Sequence, residues 1–218
     1  MSVVSIAEAW PAPGKPFTVA ELDRMPDDGH RYELVDGALL VSPRPAPAHQ
    51  VVAFTLASIL DKGCVPGLQV VPEPAVMVST DTEFAPDIVV VDRGELSSPK
   101  ITRPPVLVVE VRSPSTALID LNRKKAAYER FGVESYWVVV PDVDKPEVIV
   151  FELHDGRYQE AAHVTGDQTF VAARPFCIEV VPFPACRGTP AAGNLTTSPD
   201  SPGGRLGSQD RVLTGDSV

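Results

Sequence analysis

The chain has 218 residues, 44% hydrophobic and only 6% aromatic, with a formal net charge of −10. That length and apolar content suit one good-sized domain with a core of Val, Leu, Ile and Ala. The acidity argues against a global basic field that attracts phosphates, though a local basic patch remains compatible with it. Cys64, Cys177 and Cys186 are widely spaced and form no CxxC or Cys/His pattern. Reduced thiols in a cytoplasmic protein are therefore expected, rather than a zinc site or a disulfide framework. No basic segment followed by an apolar run opens the sequence, and no stretch reaches 18 apolar residues, so neither a signal peptide nor a membrane span is expected.

In chain order, residues 1–16 read as a Pro/Ala/Gly-containing lead-in. Thr18 and Glu21 have capping-box spacing and predict a short helix ending near Met25. Arg31 to Val35 reads as a strand, Asp36-Gly37 as a hairpin turn, and Ala38 to Ser42 as the return strand. Pro43 to Pro47 is expected to stop that ladder. His49 to Asp61 predicts a helix with Val52, Leu56 and Ile59 or Leu60 on one face, and Gly63 as its stop.

Val70 to Val78 predicts an extended segment broken by its two prolines. Ile88–Val91 and Val106–Val111 are short apolar runs, as expected of strands at the buried centre of a sheet. Asp120 to Phe131 is helical in pattern, with Gly132 at its end, and Ser135 to Val140 is the next strand. Strand, helix and strand across 106–140 predict a right-handed parallel crossover. Glu147–Leu153 and Tyr158–Val164 predict a hairpin around Asp155-Gly156, and Phe176 to Val181 a closing strand. The expected domain spans 17–182. From about Arg187 the chain turns to Gly, Pro, Ser, Thr and Asp without hydrophobic periodicity, so 187–218 is expected to be a disordered tail.

Glu110 carries the sharpest chemical signal. It is the one charge within Val106-Leu107-Val108-Val109-Glu110-Val111, where an ionised carboxyl is costly unless paired or bound to metal. Asp87 opens the preceding strand after Pro86. If the two strands are neighbours, both carboxylates converge at one sheet edge and suit Mg²⁺ or Mn²⁺, with the Val111 carbonyl as an extra oxygen. The plainer alternatives are a turn cap at Asp87 and an ion pair between Glu110 and Arg112 on the same strand face.

Glu33 is a third acid, either paired with Arg31 on an exposed hairpin or engaged with a second metal or an outer-shell water. Lys124 shares a helix face with Asp120 and Tyr128. It is either a cation reaching the sheet edge or half of a solvated Asp120–Lys124 pair. Arg123, Lys125 and Arg130 make this the most basic stretch, equally readable as a phosphate contact or a solvated surface. His49 could reach substrate or assist metal binding, but reads more readily as a helix-start or packing residue. No Gly-x-Ser-x-Gly elbow surrounds Ser113 or Ser115, which speaks against a serine hydrolase.

Several runs together resemble one family. They are Arg31-Tyr32-Glu33-Leu34-Val35-Asp36-Gly37, Ser42-Pro43, His49-Gln50, Pro86-Asp87-Ile88-Val89-Val90, Val108 through Thr116, Asp120 with Lys124 and Tyr128, and Gly132 through Val139. Over roughly residues 17–182 the chain resembles the Uma-type restriction endonucleases of bacteria, within the PD-(D/E)xK nuclease superfamily. The resemblance implies an α/β restriction-endonuclease-like fold, a mixed central sheet flanked by helices. It also implies metal acids at Asp87 and Glu110, an additional acid at Glu33, and homodimers. The superfamily lysine normally stands two residues after the second acid, where this chain has Arg112. The resemblance moves that role to Lys124, with Arg112 as fallback.

The leading expectation is a Mg²⁺- or Mn²⁺-dependent DNA endonuclease. The alternatives are a catalytically inactive nuclease fold that binds nucleic acid or protein, and a plain α/β domain with structural acids. Convergence of Glu33, Asp87, Glu110 and Lys124 in one cleft separates the first two from the third.

Overall fold

The computed structural model describes residues 14–112 and 118–182, apart from the side chains of 118–121. The predicted tail over 187–218, and Ser113 and Ser115, lie outside these residues. The described elements are α1 (Val19–Leu22), β1 (His30–Val35), β2 (Ala38–Pro43), α2 (Pro47–Gly63), β3 (Leu68–Pro72), β4 (Val76–Ser79), β5 (Thr82–Phe84) and β6 (Ile88–Asp92). There follow β7 (Leu107–Val111), α3 (Leu118–Phe131), β8 (Ser135–Val140), β9 (Glu147–His154), β10 (Arg157–Thr165), β11 (Phe170–Ala172) and β12 (Ile178–Val180).

A six-stranded mixed sheet in the order β10-β9-β8-β7-β6-β3 forms the centre. Its β7 and β8 run parallel, joined through α3, and its other neighbours are antiparallel. The Val-rich strands are buried on both faces, and their period of two sends alternate residues into two separate cores. Val90, Val109, Val111, Trp137 and Val139 pack with Val52, Leu56 and Leu60 of α2. Val89, Val91, Val108, Tyr136 and Val138 pack with Ala127 and Tyr128 of α3 and with Phe84 and Val35. A four-stranded sheet, β2-β1-β5-β4, supplies those last two residues.

The structure departs from the sequence-based expectation in several places. The 70–78 segment is two strands in different sheets, β3 and β4, separated at Glu73, which has φ 48°. β5 and β11, three residues each, are too short to show a periodicity. β2 extends through Pro43, which an edge strand tolerates at its end. Gly63 is not a left-handed stop but the last helical residue. A Cβ there would lie 3.0 Å from Ile178 Cδ1, so close packing calls for glycine. α1 is shorter than expected, although Glu21 accepts hydrogen bonds from both the N–H (2.7 Å) and the hydroxyl (2.9 Å) of Thr18.

The β1–β2 hairpin turns on Asp36 (φ 46°) and Gly37 (φ 77°), both left-handed as a two-residue type I′ turn requires. A Cβ at Gly37 would sit 2.5 Å from Pro16 Cβ. The substitution Gly37→Ala is therefore expected to destabilise the fold by about 1–3 kcal/mol in urea denaturation, combining left-handed strain with a clash. A change below about 0.5 kcal/mol would show that the turn relaxes freely.

Candidate active site

The β6–β7 register ends with Ile88 opposite Val109, so Asp87, just before β6, and Glu110, just after Val109, lie at the same end of these two strands. Glu110 meets Lys124 and Tyr128 of α3, whereas Asp87 meets His49 of α2. Glu33 arrives from β1, and Lys124 from the middle of α3.

The Lys124 ammonium donates to Glu33 Oε1 at 2.8 Å and to Glu110 Oε1 and Oε2 at 3.1 and 3.3 Å. Tyr128, one helical turn on, donates its hydroxyl to Glu110 Oε1 at 3.0 Å. The Ala85 N–H donates to Glu33 Oε1 at 2.9 Å. All four residues named in advance are buried: Glu33 7%, Asp87 2%, Glu110 5% and Lys124 6% exposed. Glu33 is thus not an exposed partner of Arg31, and Glu110 pairs with Lys124. Lys125 lies over the Phe151 ring, 3.5 Å from its centroid, and Arg130 pairs with Asp36 at 2.9 Å.

Asp87 has its own set of partners. Its Oδ2 accepts the Val111 N–H at 2.7 Å, and Arg31 Nη1 lies 3.5 Å from its Oδ1. His49 Nε2 lies 2.7 Å from the Val111 carbonyl oxygen and 3.4 Å from Asp87 Oδ2. A carbonyl oxygen only accepts, so Nε2 carries the proton. His49 therefore touches both Asp87 and the Val111 carbonyl, so it is more than the helix-start or packing residue that its position favoured. Its Nδ1 is buried without a hydrogen-bond partner. Arg31 and Tyr128 were also not singled out. Tyr128 was visible as the i+4 neighbour of Lys124; nothing local marks Arg31, whose partners lie 42 and 56 residues away.

The electrostatics follow from three acids sharing a small volume. Burial pushes the Glu110 carboxyl up to about 7; Lys124 opposes this, while Asp87 and Glu33 add to it. Burial opposes the charge on Lys124, but Glu110 and Glu33 outweigh it and hold the ammonium charged. Burial likewise disfavours the Asp87 carboxylate, yet His49, the Val111 N–H and Arg31 prevail and hold it below its ordinary value. The same partnership raises His49 against the effect of its burial. One buried lysine thus serves two carboxylates, and one carboxyl keeps a strong affinity for a proton.

The family profile of Uma2, described as "Putative restriction endonuclease", matches residues 19–179. No curated protein matches the chain. Among solved structures, a crystal structure described as "a putative nuclease belonging to DUF820 from Anabaena variabilis ATCC 29413" superposes with a TM-score of 0.60 at 17% identity. The match covers 73% of this chain and 90% of that one, and at this identity it speaks for the fold alone. The family profile spans most of the chain and includes every residue of the acid–lysine cluster; this chain belongs to the Uma2 family of restriction-endonuclease-type proteins.

Proposed function

We propose that the protein is an endonuclease that hydrolyses DNA phosphodiester bonds with Mg²⁺ or Mn²⁺ as its resident ion. The supporting observation is that Lys124 joins Glu33 and Glu110 at the end of the central strand β7, where Asp87 accepts the Val111 N–H and its charge acts on Glu110. The donors fit a hard divalent ion: Asp87 and Glu110 offer carboxylate oxygens and Val111 a carbonyl. Glu33 and Glu110 share one buried lysine; burial, with added repulsion from Asp87 and Glu33, raises Glu110, and a bound cation would relieve that repulsion. Among the described residues no three His, Cys, Asp or Glu side chains are grouped to hold a metal. The proposed set is therefore two carboxylates and a backbone oxygen, leaving positions for water and phosphate oxygens.

When bound, such an ion supplies polarisation of the phosphate and acidification of the attacking water. In this reading Asp87, Glu110 and Val111 hold the ion. Lys124, anchored by Glu33, keeps a fixed positive charge where negative charge develops in the transition state. Tyr128 orients Glu110 by donating to one of its oxygens.

A second reading, an inactive nuclease fold that binds nucleic acid or protein, is favoured by one observation. The acids already have basic partners: Lys124 for Glu33 and Glu110, Arg31 and His49 for Asp87. The two readings separate when the purified protein is assayed with Mg²⁺ or Mn²⁺ on duplex, single-stranded and branched DNA. The nuclease reading predicts cleavage that Asp87→Ala abolishes without loss of fold. No cleavage by the native protein under any of these conditions favours the binding module, and cleavage that survives Asp87→Ala points to another site or a contaminant.

The ion cluster also predicts a pH-dependent stability. Glu110 titrates above its ordinary range in the folded protein, so its protonation favours the native state at low pH, and that contribution is lost as pH rises through about 7. Lys124→Met removes the ammonium that contacts both Glu33 and Glu110. It is expected to cost about 3–5 kcal/mol at pH 8, where the buried carboxylates lose their partner, and clearly less at pH 5.5. Urea melts at the two pH values measure the difference. An equal cost at both would mean that Lys124 contributes through packing rather than charge.

A further inference from the structure

Beside the acid cluster lies a cavity of about 450 Å³ lined in part by Gln50, Phe54, Asp61, Glu73 and Asp87. Two donors converge on a single carboxylate oxygen of Glu73, one of its lining residues. Arg31 Nη2 donates to Glu73 Oε1 at 2.8 Å, and Gln50 Nε2 to the same atom at 3.4 Å. Arg31 reaches back through Nη1 to Asp87. Its side chain is 18% exposed, whereas that of Glu73 is 45% exposed. Glu73 adopts φ 48°, left-handed for a non-glycine residue, and its N–H is tied to the Asp87 carbonyl at 3.1 Å.

A guanidinium and an amide N–H aimed at one oxygen also form a receptor for a phosphate oxygen. The residue now filling it is more exposed than Arg31 and can swing into solvent. Lys124 is committed to two buried acids, Lys125 lies over Phe151 and Arg130 pairs with Asp36. Arg31 already contacts two residues that line the cavity, Glu73 and Asp87, and becomes available to it when the exposed Glu73 side chain moves.

We propose that Arg31 and Gln50 form a subsite for a non-bridging phosphate oxygen of a nucleic-acid strand, and that Glu73 occupies this subsite in the free protein as a built-in competitor. The inference rests on the nuclease reading for its ligand and adds a binding residue and a gate to it. A strand that displaces Glu73 gains Arg31 as its anchor next to Asp87. In a chain of net charge −10 the competitor suppresses stray binding to phosphates.

The test is fluorescence anisotropy of a labelled DNA duplex in EDTA, where no cleavage occurs, over a range of salt concentrations. Glu73→Ala is expected to bind at least about fivefold tighter than the native protein, with the slope of log K against log salt steeper by about 0.9, one phosphate contact. The double variant Glu73→Ala/Arg31→Met is expected to lose both gains. Asp61→Asn removes a charge from the same cavity without freeing a cation and is expected to give neither. Thermal melts verify that each variant is folded. Affinity within twofold of the native protein for Glu73→Ala, undetectable binding by that variant, a gain that persists without Arg31, or an equal gain from Asp61→Asn would each overturn the proposal. Equal binding of a labelled poly-glutamate peptide by Glu73→Ala would overturn the assignment to phosphate. Cleavage is not read in this experiment, so its failure leaves the nuclease reading intact, and failure of the cleavage assay leaves this result standing.

Discussion

A single ammonium group held between two carboxylates fixes the geometry of the candidate site. Lys124 draws Glu33 of the small sheet and Glu110 of the central sheet to within hydrogen-bond distance of one nitrogen. This contact pins α3 over the end of β7 and ties the β1–β2 hairpin to the six-stranded sheet. A buried ion pair of this kind is weak evidence for stability, because desolvation of three charges offsets much of their attraction. Its value lies in placement, since removing Lys124 leaves two carboxyl groups without their shared partner in an apolar interior. Phe84, Tyr128 and Tyr136 form the surrounding wall, which keeps the local dielectric low and sharpens each interaction.

Much of the architecture was legible because the long signals in the sequence are physical constraints. The apolar runs at 88–91 and 106–111 had to be covered on both faces, which makes them central strands. A helix between 106–111 and 135–140 had to be a crossover between parallel strands. Asp36-Gly37 and Asp155-Gly156 supply left-handed residues, and both are hairpin turns. Short elements were not legible. Thr82–Phe84 lies between β4 and β6, and only the tertiary structure shows that it carries Phe84 to Tyr128 and the Ala85 N–H to Glu33.

The candidate site divides in the same way. Glu110 was visible because a charge inside an apolar strand contradicts its surroundings, and Lys124 because helical spacing set it with Tyr128. The roles of Arg31, His49 and Glu73 depend on contacts made across 23 to 62 residues of chain, and no local pattern encodes them. His49 shows the limit well. At the start of a helix it looks like a packing residue, yet it touches both the Val111 carbonyl and Asp87. The acidic composition also has a local counterpart: Lys124 and Arg31 are each shared between two carboxylates, Glu33 and Glu110 for the one, Glu73 and Asp87 for the other.

The most direct test of the central claim, that the acid cluster around Lys124 is a cation site, is calorimetric titration of Mn²⁺ into the metal-free protein between pH 5.5 and 8.5. Glu110 titrates near 7 in the free protein, so below that pH an incoming ion must displace its proton. The account predicts one saturable site per chain, with affinity rising as pH increases to about 7 and then levelling, and with proton release at the lower pH values. It also predicts loss of that site in Glu110→Gln. Absence of saturable binding, or binding unchanged by Glu110→Gln, would contradict it.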